Sequence, residues 1–379
     1  MNVKKPIMII AGEDSGDLHG SALIAELKNI DPALQIYGIG GQKMIEAGMT
    51  PQYHIKDMAF LGFAEVVKHI PFIKKVQKEL LNVVKNRNIK EVVLIDYPGF
   101  NLSLAKKLKK LDVKIIYYIS PQVWAWGKGR LKKMKRLIDL MIVVFPFEKE
   151  LYKNAGVKVE YAGHPLVERM NSYPYLSKSG LYEKFNLDDD KDLLLLMPGS
   201  RKQEIEKIFP ESIKAAVRLS NELNMQTVVA CSGNIDENIF RKLTHEKNFT
   251  IIKEHTYDLL KHAKFGIIKS GTSTLEAGLA ELPFVVVYST SALTYFIGKK
   301  LIQIDSISMT NIILDKKVIP ELIQKDMNTE KIYSVAKSIL TDIKKYELIK
   351  SELEKLKLKL GSGGASKRAA ELIYAELND

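Results

Sequence analysis

The N-terminal stretch PIMIIAGEDSGDLHG, residues 6–20, joins a short apolar run to a polar loop that contains three glycines. The apolar run, Pro6 to Ala11, has the length of a buried strand and is too short for a secretory signal or a membrane span. Similar runs alternate with longer amphipathic stretches along the chain, which is typical of βαβ units in a parallel sheet. We therefore predict a doubly wound α/β fold, in which ligands bind beyond the carboxyl ends of the strands.

The apolar runs fall into two series. Further strands are predicted at residues 91–95, 114–119 and 140–144, and then at 193–197, 227–232, 249–253, 265–269 and 284–288. The pattern stops near Ala162, and a polar stretch from Asn171 to Lys191 separates the two series. This organisation predicts Rossmann-like domains at 1–165 and 166–345, followed by two C-terminal helices within 346–379 that pack back on the N-terminal domain.

Composition restricts the class of protein. The 379 residues are 46% hydrophobic and 27% charged, which is typical of globular proteins and excludes a disordered, collagen-like or coiled-coil chain. The single cysteine, Cys231, has no internal disulfide partner, so the chain fits a reducing cytoplasm.

The net charge is +12, and residues 1–164 carry +10 of it, with 26 lysines and arginines against 16 acidic residues. A basic half suits nucleic acid, an anionic membrane or a phosphorylated substrate.

Two loops of the first half carry candidate catalytic groups. The loop from Gly12 to Gly20 places three acids, a serine and a histidine within seven residues, more than helix capping requires. The second loop, IDYPGFN at residues 95–101, places Asp96 at the end of a strand and before a Pro-Gly turn. A carboxylate there suits a general base, and an Asx turn is the structural alternative.

Two further loops of the second half resemble anion sites. The stretch MPGSRKQE, residues 197–204, ends a strand and opens a helix, so that free amides and Arg201 suit a diphosphate. The stretch SGTSTLE, residues 270–276, repeats this arrangement. Here Ser273 and Glu276 have the spacing of a capping box, whereas Glu276 alternatively binds ribose hydroxyls.

Metal and nucleic-acid sites have little support. The seven histidines lack the spacing of a metalloprotease helix and Cys231 has no partner thiol, so we predict neither a metal nor a cofactor. The lysine clusters at 106–110 and 132–136 contain no aromatic residues for base stacking, which argues against nucleic acid.

Both tryptophans lie in the loop at 119–127, which suits sugar or acyl contacts or a place in the core.

An apolar stripe also lies in the basic half. Phe63, Val66, Val67 and Ile70 fall on one helical face, which indicates core packing or an interfacial patch. Neighbouring cations would assist such a patch at an anionic surface.

Taken in order, these motifs resemble the lipid A disaccharide synthase family, bacterial glycosyltransferases with the two-domain GT-B fold. The resemblance covers nearly the whole chain, and it departs from the family at Leu61-Gly62, where Met-Gly is usual, and at residues 309–311, where Leu-Pro-Asn is usual. The matching stretches are 12–17, 38–41, 95–101, 120–126, 146–148, 163–166, 198–201, 270–276 and 320–324.

The resemblance implies transfer of a sugar from UDP-2,3-diacylglucosamine to the 6-hydroxyl of 2,3-diacylglucosamine 1-phosphate (lipid X), with inversion to a β-1,6 linkage. It implies a cytoplasmic enzyme, peripheral on the inner face of the inner membrane. Asp96, Glu13 and His19 are the catalytic candidates, with Asp96 favoured as the base. The implied donor residues are Gly199, Ser200, Arg201, Ser270, Gly271, Thr272, Glu276, Asn311, Glu321 and Gln324, and the implied acceptor residues are Ser15, Gly16, Asp17 and Asn101.

Two rival functions remain at this point. One is a GT-B enzyme with another substrate, such as a cell-wall acetylglucosaminyltransferase or a UDP-acetylglucosamine epimerase, and it does not explain the apolar patch. The other is nucleic-acid binding, which the missing aromatic residues disfavour.

Overall fold

Parallel β-sheets lie at the centre of both halves of the chain. The structure, a computed structural model, describes residues 6–58, 69–124, 128–291 and 305–378. It divides the chain into two units, residues 1–168 with 363–379, and residues 169–362. Each unit is a parallel sheet with helices on both faces, so the predicted doubly wound α/β class is confirmed.

The first unit contains seven parallel strands in the order β3-β2-β1-β4-β5-β6-β7. These strands are β1 Ile7–Ala11, β2 Ile36–Gly40, β3 Thr50–His54, β4 Glu91–Ile95, β5 Lys114–Tyr118, β6 Leu140–Val143 and β7 Val159–Tyr161. The four predicted strands are confirmed to within one residue at each end. Strands β3 and β7 escape the apolar-run pattern because they lie at the sheet edges and are partly exposed.

Strand β2 has a different reason for its weak signal, namely its glycines. A Cβ at Gly38 would lie 1.7 Å from the carbonyl oxygen of Ile9 on the neighbouring strand, so only glycine fits there. Three of the four residues in the stretch at 38–41 belong to this strand.

Helices cover both faces of the first sheet. They are α1 Asp14–Ile30, α2 Gln42–Glu46, α3 Ile55–Met58, α4 Ile70–Asn86, α5 Pro98–Leu108, α6 Leu131–Leu137 and α7 Pro146–Asn154. The next helix, α8 Pro165–Ser172, contains the division between the two units. Short 3₁₀ turns lie at Lys109–Leu111 and Lys128–Arg130. Side chains of α4, α5 and α6 share one core with alternate residues of the strands, including Met8, Leu94 and Tyr117.

The second unit contains six parallel strands in the order β10-β9-β8-β11-β12-β13. They are β8 Asp192–Met197, β9 Met225–Cys231, β10 Thr250–Lys253, β11 Ala263–Lys269, β12 Phe284–Tyr288 and β13 Glu321–Ile323. The helices are α9 Lys178–Phe185, α10 Lys202–Glu222, α11 Asn238–Lys242, α12 Thr256–His262, α13 Thr272–Leu279, α14 Met309–Leu314, α15 Thr329–Leu340 and α16 Ile343–Leu360, with a 3₁₀ turn at Gln324–Asp326. Five strands match the prediction, and the three-residue edge strand β13 does not appear in it.

The polar stretch at 171–191 is part of the second unit. The carboxylate of Asp258, which is fully buried, accepts hydrogen bonds from the Tyr173 hydroxyl and the Leu176 amide, both at 2.8 Å. A buried carboxylate must be paired, so these bonds fix the start of the stretch to α12.

The two C-terminal helices belong to different units, which differs from the predicted packing of both on the N-terminal domain. Helix α16 packs on α13 and α14 and buries Leu353 in the second core. The last helix, α17 Ala365–Asn378, packs on α1, and its Glu376 pairs with Lys114 at 3.1 Å. The turn at residues 361–364 therefore returns the chain to the first unit.

Within the described residues, no helix combines the length and apolarity that crossing a bilayer requires.

Candidate functional site

The loops that follow β1 and β4 meet at the carboxyl edge of the first sheet. Ala11 and Ile95 are paired at the ends of these adjacent parallel strands. A Cβ on Gly12 would lie 2.2 Å from Cδ1 of Tyr97, so glycine lets the Tyr97 ring cover the first loop. Glu13 and Ser15 are exposed at the start of α1. The two loops therefore lie side by side at this edge of the sheet.

Asp96 lies in a strained turn. Asp96 and Tyr97 both adopt left-handed backbone conformations, with φ of 42° and 47°. The carbonyl of Asp96 accepts hydrogen bonds from Asn101 Nδ2 at 2.7 Å and from the Tyr117 hydroxyl, and its amide donates to the Tyr118 carbonyl at 3.2 Å. These bonds hold the backbone of Asp96 in one conformation at the end of β4.

The environment of Asp96 alters its acidity. The pKa of Asp96 is raised to about 6, mainly by burial and in part by the nearby Glu13 carboxylate, while a hydrogen bond from the amide of Tyr97 opposes the shift. A carboxylate with a pKa near 6 is ionised at neutral pH and still binds a proton effectively. Asp96 therefore has the properties of a general base.

Two predicted acceptor residues have structural roles instead. The buried Asp17 accepts hydrogen bonds from the amides of Gly41, Lys43 and Met44, at 2.7, 3.2 and 3.0 Å, and so fixes the loop before α2. Asn101 is fully buried and bonds to the backbone of β4. Neither side chain is available to a sugar, and both predictions of direct contact are corrected accordingly.

The other predicted residues of this loop differ in exposure. Gly16 is buried, and a Cβ there would lie 3.1 Å from the Ala11 side chain, so its role is the packing of α1 on β1. His19 is partly exposed on α1 and Ser15 is exposed. Glu13 and Ser15 are therefore the members of the loop that a ligand reaches most directly.

A buried carboxylate organises the loops after β5 and β6. Glu148 accepts hydrogen bonds from the Ser120 hydroxyl at 2.5 Å and the Trp124 indole at 3.2 Å, and burial raises its pKa to about 7. Trp124 is buried beside Phe147, which makes it a core residue. Trp126 lies outside the described residues.

The loop after β8 opens α10 in the second unit. Gly199 has φ of 123°, a conformation that favours glycine. Arg201 is the N-cap residue of α10 and is exposed, and its guanidinium has no ion pair within the described part of the chain. The loop thus presents a free cation at the N-terminus of a 21-residue helix, as an anion site requires.

The loop after β11 is tied to the segment before α14. Ser270 Oγ donates to the Ile307 carbonyl at 2.9 Å, and the Met309 amide donates to the Thr274 hydroxyl at 3.1 Å. Thr310 lies in the first turn of α14, where the proline usual in the family also fits. Gly271 and Thr272 remain at the surface of this loop.

Three predicted donor residues hold loops in place. Glu321 accepts hydrogen bonds from the amides of Ile307 and Ser308, both at 3.0 Å, and from Asn311 Nδ2 at 2.9 Å. Gln324 exchanges two hydrogen bonds with the backbone of Thr290, at 2.7 and 3.1 Å. These side chains bind groups of the protein itself, so we infer that they position the loops, and their direct contact with the donor stays a prediction.

The capping-box interpretation of Glu276 is wrong. The N-cap of α13 is Gly271, without a side-chain bond, and the Glu276 carboxylate instead approaches Arg169 Nη2 at 3.4 Å and the Tyr257 hydroxyl at 3.5 Å. Burial raises the pKa of Glu276, and the Arg169 guanidinium opposes this shift. These contacts are long, so the carboxylate keeps capacity to accept further hydrogen bonds.

Most of the predicted membrane stripe lies outside the described residues, namely Phe63, Val66 and Val67. Its last member, Ile70, is 40% exposed at the start of α4. Within the described ranges, no group of three histidine, cysteine, aspartate or glutamate side chains is arranged to hold a metal ion.

Comparisons with known proteins agree over the full chain. The family model for lipid-A-disaccharide synthetase matches residues 7–376. Lipid-A-disaccharide synthases from Geobacter sulfurreducens and Syntrophus aciditrophicus are both 39% identical, and they cover 99% and 97% of this chain and 98% and 96% of their own. The synthase from Coxiella burnetii is 35% identical, with 98% of both chains covered.

Solved structures show the same architecture at low identity. The UDP-GlcNAc 2-epimerase from Neisseria meningitidis bound to UDP-GlcNAc gives a TM-score of 0.69 at 12% identity, with 99% of this chain and 100% of that chain covered. The glycotransferase of kitacinnamycin gives 0.67 at 12% identity, with the same coverage. The predicted GT-B fold is thereby confirmed, and the family match decides against the epimerase alternative. The chain belongs to the lipid-A-disaccharide synthase family and is a hexosyltransferase of lipid A biosynthesis.

Proposed function

We propose that the protein condenses UDP-2,3-diacylglucosamine with 2,3-diacylglucosamine 1-phosphate and inverts the anomeric configuration. The observation that carries this proposal is the partly buried Asp96 carboxylate in a fixed left-handed turn at the carboxyl end of β4. An inverting transfer needs one base and no covalent intermediate, and a single well-placed carboxylate meets that need.

The reaction is a single displacement. The acceptor 6-hydroxyl attacks C1 of the donor sugar on the face opposite to UDP, and Asp96 takes the hydroxyl proton as the new C–O bond forms. The bond from C1 to the diphosphate oxygen breaks, and UDP leaves with the electron pair. The α-linked donor sugar therefore becomes β-linked in the product.

Charge develops on the leaving diphosphate, and the second unit supplies groups that stabilise it. The amides of the loop at 199–201 and the free Arg201 guanidinium suit the diphosphate oxygens. Glu276 contacts Arg169 and Tyr257, and we expect its carboxylate to accept hydrogen bonds from ribose hydroxyls. Asn311, Glu321 and Gln324 act on the donor indirectly, because they fix the backbone of the surrounding loops.

The substrate class is tested by UDP release with matched pairs of substrates. We expect rapid UDP release when the donor and the acceptor both carry acyl chains, and little release when either one lacks them. UDP release with non-acylated UDP-acetylglucosamine at an equal rate would contradict the proposal and favour another GT-B activity.

The acidity of Asp96 predicts a pH profile. Activity needs the ionised carboxylate, so kcat/KM should fall as the pH drops below about 6. Because the Glu13 carboxylate raises the pKa of Asp96, Glu13→Gln should move this acid limb to lower pH. An acid limb that Glu13→Gln leaves in place would assign the titration to another group, such as His19.

We propose further that the first unit binds the anionic cytoplasmic surface of the inner membrane, where both acylated substrates reside. Helices α4, α5 and α6 lie side by side on one face of the sheet and expose many cations that have few acidic neighbours. The exposed cations of these helices are Lys74, Lys75, Lys78, Lys85, Lys106, Lys132, Lys133, Lys135 and Arg136, together with Lys110 in the 3₁₀ turn after α5. The predicted stripe of Phe63, Val66, Val67 and Ile70 would add apolar contact with the membrane.

Vesicle sedimentation tests this surface. Lys132→Gln with Lys133→Gln should weaken binding to anionic vesicles by up to about thirtyfold, because each cation near the surface contributes about 1 kcal/mol before screening by salt. The matched control is Lys242→Gln with Lys247→Gln, two exposed lysines of the second unit. Equal losses in both double variants would show that net charge, and not this face, governs binding.

Val66→Glu with Val67→Glu should also weaken binding, without lowering the melting temperature.

A further inference from the structure

One ion pair lies between the two glycine turns of the second unit. Lys269, the last residue of β11, places Nζ 2.9 Å from Oε1 of Glu204 in the first turn of α10. The two side chains are only 18% and 20% exposed. A Cβ on Gly199 would lie 2.7 Å from Glu204 Oε2, and a Cβ on Gly271 would lie 3.5 Å from Lys269 Nζ. The pair is thus adjacent to both loops.

Strand pairing explains this position. Strands β8 and β11 are neighbours, and Met197 and Ile268 are paired near their carboxyl ends. Gly199 and Gly271 follow these ends and precede α10 and α13. The Lys269 ammonium therefore lies where the N-termini of two helices converge, which is a region of positive potential.

The fold alone does not account for a lysine here. A partly buried ion pair adds little net stability, since the loss of hydration offsets the attraction. Glu204 Oε2 is buried and has no hydrogen-bond partner, so the pair is incompletely satisfied. Lys269 makes no other hydrogen bond or ion pair among the described residues, so its ammonium retains donors for a ligand.

We propose that Lys269 is a second cationic contact for the donor diphosphate, held at the edge of the sheet by Glu204. This inference rests on the proposed placement of the diphosphate at residues 199–201. Arg201 reaches the diphosphate from the exposed side of the loop, and Lys269 reaches it from the strand side. Glu204 balances the charge of Lys269, so Lys269 contributes hydrogen-bond donors on the strand side that Arg201 alone does not supply.

The test compares the binding of uridine and UDP by titration calorimetry. Lys269→Met should weaken UDP binding by about tenfold or more and leave uridine binding unchanged, because uridine lacks phosphates. Lys264→Met is the matched control, since Lys264 lies at the other end of β11 and pairs with Asp192 at 2.6 Å. Equal losses of UDP affinity in both variants would overturn the proposal.

Glu204→Gln separates ligand binding from a structural role. It breaks the same ion pair but keeps the cation, so we expect Lys269→Met to weaken UDP binding more than Glu204→Gln does. Equal weakening by both variants would make Lys269 a structural partner only and would overturn the proposal. Lys269→Met alone leaves the Glu204 carboxylate without a partner. The double variant Lys269→Met with Glu204→Gln avoids this, and we expect the double variant to bind UDP about tenfold less tightly than Glu204→Gln alone.

Arg201→Ala distinguishes failure of this inference from failure of the proposed function. If Arg201→Ala weakens UDP binding and Lys269→Met does not, only the role of Lys269 is overturned. If neither variant affects UDP binding, the diphosphate lies elsewhere and the donor site itself is wrong.

Discussion

Asp96→Asn should lower kcat by about 10² to 10⁴ while KM changes little, because a base acts in the transition state and substrate binding is spread over many contacts. Asparagine keeps the shape of the side chain and adopts left-handed backbone conformations readily, so the turn should survive. Steady-state kinetics with both substrates varied measures the effect. A raised KM with unchanged kcat would contradict the assignment and leave Glu13 or His19 as the base.

A melting curve separates this loss of chemistry from unfolding. The folded state favours protonated Asp96, so the ionised carboxylate destabilises the fold increasingly as the pH rises from 3.8 to about 6, and by a constant amount above that. Asp96→Asn removes this cost and should raise Tm at neutral pH. If Asp96→Asn is inactive and melts at a higher temperature than the wild type, the variant is folded and its loss of activity is due to the missing base.

Arg201→Ala should weaken UDP binding by roughly ten- to a hundredfold, equivalent to about 1.5 to 3 kcal/mol for a charged hydrogen bond. The helix N-terminus supplies only about 0.3 to 1 kcal/mol at an exposed site, so the guanidinium dominates. Arg201→Lys should restore the affinity only in part, since an ammonium cannot bind two phosphate oxygens as a planar fork does.

Titration calorimetry with UDP measures these affinities. The matched control is Lys207→Ala, which removes an exposed cation further along α10 and should leave UDP binding unchanged. Unchanged affinity in Arg201→Ala would place the diphosphate outside this loop.

The fold was largely predictable because buried parallel strands are continuous apolar runs. The runs at 91–95 and 193–197 illustrate this, since both lie inside sheets and are covered on both faces. The edge strands β3 and β7 carry weaker signals because they are partly exposed, and β13 is only three residues long. The C-terminal helices belong to different units because the core of the second unit buries Leu353 of α16. The local sequence does not show which of the two cores a helix packs on.

The sequence predicts which loops form the candidate site, but it predicts the contacts of individual side chains less well. The loops containing Asp96 and Arg201 follow strands, and the rule for parallel sheets places ligands there. By contrast, Asp17 and Glu321 bind backbone amides of segments distant in sequence, and only the folded chain brings these groups together. Lys269 is a cation at the end of an apolar strand, so it could have been noticed in the sequence. Its pairing with Glu204 could not, because Glu204 follows a different strand.

The configuration of the disaccharide product tests the central claim most directly. The protein is incubated with UDP-2,3-diacylglucosamine and 2,3-diacylglucosamine 1-phosphate, and the new linkage is assigned by proton NMR. We predict a β-1,6-linked acylated disaccharide 1-phosphate, formed in equal amount to UDP and lost in Asp96→Asn. An α-linked product, or UDP released with free diacylglucosamine and no disaccharide, would contradict an inverting transfer by this enzyme.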